Sequence, residues 1–151
     1  MASNQIYTVR AMIDSDGAGL DETSISLPTD PTSNVVAELI RLELEVSGSI
    51  SIGTDTFQQA GLSKSAVDGV DYHIDDNNII CVMGFKSYLT TSGAAIVNPV
   101  QVYDFLPRVA LVAASSINAF AYSSAGNPNY HFRLYYALTK VSSQELIALL
   151  S

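Results

Sequence analysis

Two segments of the chain alternate regularly between apolar and polar residues. In residues 40–46, branched aliphatics alternate with charged residues: Ile40, Leu42, Leu44 and Val46 against Arg41, Glu43 and Glu45. Near the end of the chain the pattern recurs, with Phe132, Leu134, Tyr136 and Leu138 against His131, Arg133, Tyr135 and Thr139. A period of two is typical of a strand with one buried face. The pattern therefore predicts two half-exposed strands.

Shorter extended segments are predicted at 6–13, 23–27, 70–74, 79–85, 100–106 and 117–122, separated by Gly, Asp, Asn and Pro turns. We expect the first two to form one hairpin, and 70–74 with 79–85 to form another. Residues 108–114 are rich in Val and Ala, which predicts a strand buried on both faces, with a helix as the alternative. Residues 57–67 break the period, which leaves a short helix or a long loop as alternatives, and Gly61 weakens the helix. Ser142 and Glu145 fit a capping box that begins a short, Leu-rich C-terminal helix.

About eight strands with no regular helices between them favour an all-β antiparallel sandwich or barrel over an α/β fold. A chain of 151 residues is the usual size of one folding unit. We therefore expect residues 1–151 to form a single β-sandwich domain.

Charge is scarce in this chain. Charged residues are 15% of the total and apolar residues 48%, against about a quarter charged in typical globular proteins. Part of the surface is thus expected to meet a partner. The net charge is −8 and the seven basic residues are scattered, which disfavours direct nucleic-acid binding because that binding needs clustered Lys and Arg.

The cysteine content and the N-terminal residues indicate in which cellular compartment the protein is made. Cys81 is the only cysteine and lies in an apolar run, so we expect a buried thiol and no internal disulfide. Residues 1–5 lack the basic and apolar regions of a signal peptide, and no apolar run is long enough to cross a bilayer. The sequence predicts a soluble protein made in the cytoplasm.

Catalytic patterns are lacking. His73 and His131 are far apart in sequence, and neither lies in a motif with a nucleophile. There is no nucleophile elbow and no glycine-rich phosphate loop. The sequence therefore predicts no enzyme and no organic cofactor.

The acidic turn after the first strand is a candidate calcium site. Asp14, Asp16 and Asp21 supply the hard oxygen ligands that Ca²⁺ prefers. The EF-hand register fails, since Ala18 and Ile25 occupy ligand positions. A solvated acidic turn is the favoured alternative.

Residues on the polar sides of the two alternating strands are candidates for a protein interface. Tyr and Arg are enriched where proteins meet, which favours an interface over a sugar-stacking aromatic platform. The interface candidates, by side-chain direction, are Arg41, Glu43, Glu45, Arg133 and Tyr135. Ordinary solvated strand faces are the competing interpretation.

The short alternating strands, the acidic exposed faces and the terminal strand at 132–138 with its closing Leu-rich helix resemble a small single jelly-roll viral capsid or virion protein. The resemblance covers most of the chain and implies a jelly roll of about eight strands. Such coat proteins often carry a basic N-terminal arm, whereas residues 1–7 here contain no Lys or Arg. That departure argues against genome contact and leaves shell formation open.

The resemblance implies a structural protein that assembles with copies of itself in the virion. Symmetric contacts between identical copies would cover its apolar sides and strand edges. The alternative is a carbohydrate- or ligand-binding β-sandwich, such as an adhesin or accessory module. An enzyme on a cupin-like barrel ranks last, because the two histidines do not cluster.

Overall fold

A computed structural model describes residues 5–15, 19–49, 56–67, 72–89, 95–96, 100–124 and 126–151. These residues form ten strands, one 3-10 turn at Pro31–Ser33 and one α-helix. The strands are β1 (Ile6–Asp14), β2 (Gly19–Ser26), β3 (Val35–Ser49), β4 (Thr56–Ser63), β5 (Ile79–Leu89), β6 (Ala95–Ile96), β7 (Val100–Asp104), β8 (Leu111–Val112), β9 (Ser116–Ser123) and β10 (Asn127–Lys140). Helix α1 is Ser143–Leu150.

The strands form two antiparallel sheets. Sheet A has the order β1-β10-β3-β7, with β8 also pairing with β3, and sheet B has the order β2-β9-β4-β5-β6. The main pairs are nested: β1 with β10, β2 with β9, β3 with β7 and β4 with β5. Such nesting arises when a long antiparallel ribbon is wrapped into two facing sheets, which is the jelly roll. The predicted all-β jelly-roll sandwich with a short C-terminal helix is confirmed.

The core lies between the sheets and is built from the inward residues of alternating strands. Leu42, Leu44, Phe132 and Leu134 are at most 2% exposed, as their period of two predicts. From sheet B they meet the inward residues Ile25, Ala60, Leu62, Cys81, Ile117, Ala119 and Ala121. Burial raises the pKa of the Cys81 thiol to about 12, so this cysteine is inert at neutral pH.

The pairing of β3 with β10 is the longest in the molecule's described part, and it contains one irregularity. The register shifts between Tyr135 and Tyr136, where Ile40 is the extra residue on β3. Such a bulge bends the strand locally. On one side of the bulge, Arg41, Glu43 and Glu45 point away from the core.

Helix α1 begins as its sequence predicts. The Ser142 hydroxyl accepts from the Glu145 backbone N–H at 3.1 Å, and the Glu145 carboxylate accepts from the Ser142 N–H at 3.2 Å. Leu146 packs with Val36, Ala113 and Val141 in a small cluster beside the main core. The helix is thereby docked at the end of sheet A.

Four local predictions are wrong. The strand expected at 108–114 is reduced to β8, half-buried at Leu111–Val112, because Arg108 and Val109 lie in an exposed turn. β1 and β2 do not form a hairpin, because β1 pairs with β10 in sheet A and β2 pairs with β9 in sheet B. Residues 72–74 are not a strand, and β5 pairs with β4 instead; residues 70–71 lie outside the described part. The uncertain 57–67 segment contains β4 rather than a helix or a long loop.

Candidate interaction surface

Three rows of side chains cover the outer side of sheet A, and each row crosses β1, β10, β3 and β7 in register. We call this surface face A. Its rows are Thr8, Tyr135, Arg41 and Asp104; Arg10, Arg133, Glu43 and Val102; and Met12, His131, Glu45 and Val100. All five interface candidates from the sequence therefore lie together on one face.

Ion pairs join strands across face A. Arg41 Nε lies 2.6 Å from Asp104 Oδ1, and that hydrogen bond raises the pKa of Arg41 above its usual range. Arg133 Nε lies 3.9 Å from Glu43 Oε1, and its Nη1 donates to Tyr135 Oη at 3.4 Å. These side chains are partly or largely exposed, so they contribute little to the stability of the single chain.

Two charges on face A lack an ion pair within the described residues. Arg10 is on the edge strand β1. Glu45 is on β3, separated from β1 by β10, in the neighbouring row with Met12 and His131. Beside Glu45, His131 Nε2 lies 2.9 Å from Ser47 Oγ. Arg10 and Glu45 are thus available for charges on another molecule.

Large apolar side chains are exposed beside these charges. Met12 is 54% exposed, Val100 53% and Val102 48%. A shallow depression of about 590 Å³ lies between Met12 and Val100, and residues of β3 and β10 form its floor. Face A therefore combines charges of both signs with accessible apolar area.

The centre of the outer side of sheet B, called face B, is covered by the chain itself. The connection between β4 and β5, described at 64–67 and 72–78 and called the cover, brings Tyr72 onto Phe120 with ring centroids 4.7 Å apart. Phe120 is 0% exposed and Tyr72 4%. Ile79, Leu20, Val67, Val82 and Tyr122 complete this apolar cluster.

Hydrogen bonds attach the cover to the sheet. The Gln59 side chain donates to the Tyr72 carbonyl at 3.2 Å and accepts from the Tyr72 N–H at 3.0 Å. Glu22 Oε1 accepts from the Val67 N–H and from the Asn118 amide, each at 2.8 Å. The centre of face B around Phe120 is therefore an internal surface of this chain, whereas Phe57 on β4, 40% exposed, and Ser24 on β2 stay accessible on the same side.

A third surface lies where the loop after β7 meets helix α1. Leu106 is 71% exposed, Val109 70%, Ile147 66% and Leu150 57%. Beneath them, a cavity of about 490 Å³ opens between the sheets, and its lining includes Tyr103, Phe105, Leu111, Ile117 and Leu149. This end of the sandwich adds further exposed apolar area.

The acidic turn is only partly described. Asp14 is exposed on β1 and Asp21 is half-buried on β2, while Asp16 lies outside the described residues. No group of three potential metal ligands occurs in the described ranges. Calcium binding by Asp14, Asp16 and Asp21 remains a prediction from the sequence.

The two histidines are placed differently. His131 is half-buried on face A beside Ser47, and in the described residues the other ring nitrogen has no hydrogen-bond partner to orient it for catalysis. His73 is exposed in the cover, on the opposite side of the molecule. The absence of enzymatic activity stays a prediction.

Sequence reasoning missed Arg10, Met12, Val100, Val102 and Asp104 as members of face A. Their alternation in β1 and β7 was visible in the sequence, but which strands lie next to β3 and β10 was not. The cover was also missed, because nothing in residues 64–78 shows which surface they cross.

No protein-family model matches this sequence, and no curated protein matches it. Solved structures with some likeness include VP1 of trichodysplasia spinulosa-associated polyomavirus, with a TM-score of 0.49 and 11% identity over 94% of this chain and 98% of that one. An unassembled KI polyomavirus VP1 pentamer has a TM-score of 0.42 and 10% identity, over 95% of this chain and 100% of that one. A structure of mud crab tombus-like virus has a TM-score of 0.33 and 10% identity, over 100% of this chain and 89% of that one.

The solved structures that this chain resembles are thus viral capsid proteins, in keeping with the resemblance expected from its sequence. No helix in the described residues has the length and apolar character needed to cross a bilayer.

Proposed function

We propose that this chain is a structural subunit that assembles with copies of itself into a closed shell, as a viral capsid or virion coat protein. The observation that carries the proposal is the contrast between the two outer faces. The chain's own cover buries the centre of face B around Phe120, whereas no segment of the described chain covers face A, which leaves Met12, Val100 and Val102 exposed. Val100 and Val102 form one exposed apolar patch on β7, and Met12 forms a second on β1 at the opposite edge of the sheet. Exposed apolar patches among polar side chains mark interaction sites.

The charge on face A suits contact between identical copies. Arg10, Arg41 and Arg133 balance Glu43, Glu45 and Asp104, so the face is neutral although the chain carries −8. Two copies can therefore approach through face A without the repulsion that their net charge imposes elsewhere. The five residues Arg41, Glu43, Glu45, Arg133 and Tyr135 are our proposed contact residues.

Copies of the same chain are the proposed partners, and the virion is the proposed location. Three of the seven basic residues are already distributed over face A among carboxylates, which leaves no dense basic stripe there for a phosphate backbone. The exposed apolar end formed by Leu106, Val109, Ile147 and Leu150 supplies a second contact surface. A closed shell needs at least one contact besides a two-fold pair.

Mass photometry with negative-stain microscopy of the purified protein tests the proposal. We expect closed particles or defined oligomers whose population rises with concentration. Arg133→Glu should reduce assembly, because it replaces a paired cation at the centre of face A by a carboxylate beside Glu43. Lys140→Glu, on an exposed position of the same strand outside face A, is the matched control. A persistent monomer at all concentrations would contradict the proposal.

A further inference from the structure

Strand β1 is the open edge of sheet A. It pairs with β10 over nine consecutive residues without a register shift, and its other side pairs with no described strand. Natural monomers protect such edges with charged side chains, above all lysine, with proline or with a bulge. β1 has no lysine, proline or bulge, its two charged residues Arg10 and Asp14 are opposite in sign, and it exposes Ile6 by 57% and Met12 by 54%. The edge is therefore suited to accept another strand.

The direction of its free backbone groups follows from one hydrogen bond. The Ser15 N–H donates to the Pro128 carbonyl at 3.2 Å, which continues the register of β1 on β10. Backbone groups of successive residues in a strand point to opposite sides. The backbone N–H and C=O groups of the odd-numbered residues of β1 therefore point toward β10. Those of the even-numbered residues point to the open edge, and these include Arg10, Met12 and Asp14.

We propose that two copies join through their β1 edges as an antiparallel pair, with a two-fold axis at Met12. This inference rests on the proposed function and specifies one of its contacts. Met12 then lies opposite Met12 of the partner subunit, and Arg10 lies opposite Asp14 of the partner subunit. The paired residues form about six backbone hydrogen bonds, two for each of three opposed pairs.

Charge selects this register. Because only even-numbered residues offer free backbone groups, each must face an even-numbered residue of the partner. Registers centred on Arg10 or on Asp14 set like charges directly opposite each other, which destabilises a sheet. Among the even registers, only the one centred on Met12 places Arg10 against the opposite charge of Asp14. Both side chains lie on the outer side of sheet A, so face A continues across the axis.

Disulfide trapping tests the register. Met12→Cys places two thiols directly opposite each other at a Cα separation of about 5.5 Å, which a disulfide can span. Cys81 is buried and does not compete. We expect rapid formation of a covalent dimer under mild oxidation.

Two variants control for chance collisions. Thr8→Cys is exposed on the same edge, but the proposed register separates its two copies by about 27 Å, at about 3.4 Å for each residue of strand. Ser24→Cys is exposed on β2, the edge of sheet B. Both should remain reduced. Cross-linking of Thr8→Cys as fast as Met12→Cys would overturn the proposed register.

Charge exchange gives a second test. In Arg10→Asp, both cross-strand pairs become Asp against Asp, and in Asp14→Arg both become Arg against Arg. Each variant alone should dimerise at least tenfold more weakly than the wild type. An equal mixture should recover dimers, because both pairs in the mixed dimer are again opposite in charge. A mixture that assembles no better than its components would overturn the inference.

The outcomes separate this inference from the proposed function. If wild-type protein forms particles or defined oligomers while Met12→Cys does not cross-link, the β1 pair is wrong and the assembly proposal stands. If the wild type stays monomeric at all concentrations and Met12→Cys does not cross-link, both are wrong.

Discussion

The two outer faces of the sandwich differ although both belong to antiparallel sheets with inward apolar side chains. On face B, Phe120 is 0% exposed beneath Tyr72 and the cover. On face A, Tyr135 and its neighbours remain accessible, and Met12 is 54% exposed. The difference comes from the course of one long connection, which crosses face B. A sheet that its own chain leaves uncovered has area available for another molecule.

The largest expected change in folding stability comes from a substitution in the backbone of sheet B. A Cβ added at Gly61 would lie 2.0 Å from the Cys81 carbonyl oxygen, and the opposing backbone cannot move aside. Gly61→Ala should therefore lower the free energy of unfolding by about 3 kcal/mol or more, the upper range for overpacking. Gly84→Ala is the matched control on β5, where the nearest atom is 4.0 Å from the added Cβ. Equal urea midpoints for the two variants would contradict this close approach.

Aromatic truncation compares the faces directly. Phe120→Ala should cost about 3–5 kcal/mol of folding stability, because it leaves a cavity under the cover. Tyr135 is half-buried on the outer side of sheet A, so Tyr135→Ala should cost less than about 1 kcal/mol of folding stability, yet weaken assembly. Urea unfolding and mass photometry on both variants measure the two effects. If Tyr135→Ala destabilises the chain as much as Phe120→Ala does, face A is not an uncovered surface.

Removing the hydrogen bonds that attach the cover should lower folding stability by a smaller amount. Gln59→Ala removes both bonds to the Tyr72 backbone and should cost about 1–3 kcal/mol, since two bonds of about 0.5–1.5 kcal/mol are lost. Hydrogen exchange should then rise at Tyr72 and its neighbours while face A stays unchanged. Faster exchange spread evenly over both sheets would show that the cover is not a separate unit.

Removing the ion pair between Arg41 and Asp104 on face A should change folding stability least. Arg41 and Asp104 have half-exposed or largely exposed side chains, at 49% and 64%. Removing the pair by Arg41→Ala should leave the urea midpoint of unfolding almost unchanged, and any small shift should shrink further in high salt. A urea midpoint lowered as far as that of Gln59→Ala would mean that this pair holds the monomer together.

Local pattern predicted much of the fold. The strands around 40–46 and 132–138 and the capped C-terminal helix depend on neighbouring residues, and each was predicted correctly. β4 was missed because Gln58 puts a polar side chain into the core, where it is 0% exposed, and Gly61 interrupts the apolar pattern.

Pairing partners could not be predicted, because they depend on contacts between distant segments. Ile6 lies opposite Ala137, and no property of β1 alone distinguishes that partner from β2. The candidate interface residues were found together because β3 and β10 happen to be neighbours. The contribution of β1 and β7 to face A required the strand order.

Hydroxyl-radical footprinting above and below the assembly concentration tests most directly whether face A, rather than face B, meets other copies. Met12 and Tyr135 report on face A, and His73 in the cover reports on the opposite side. We predict that Met12 and Tyr135 become severalfold less reactive on assembly while His73 is unchanged. Protection of His73 with unchanged reactivity at Met12 and Tyr135 would contradict the account.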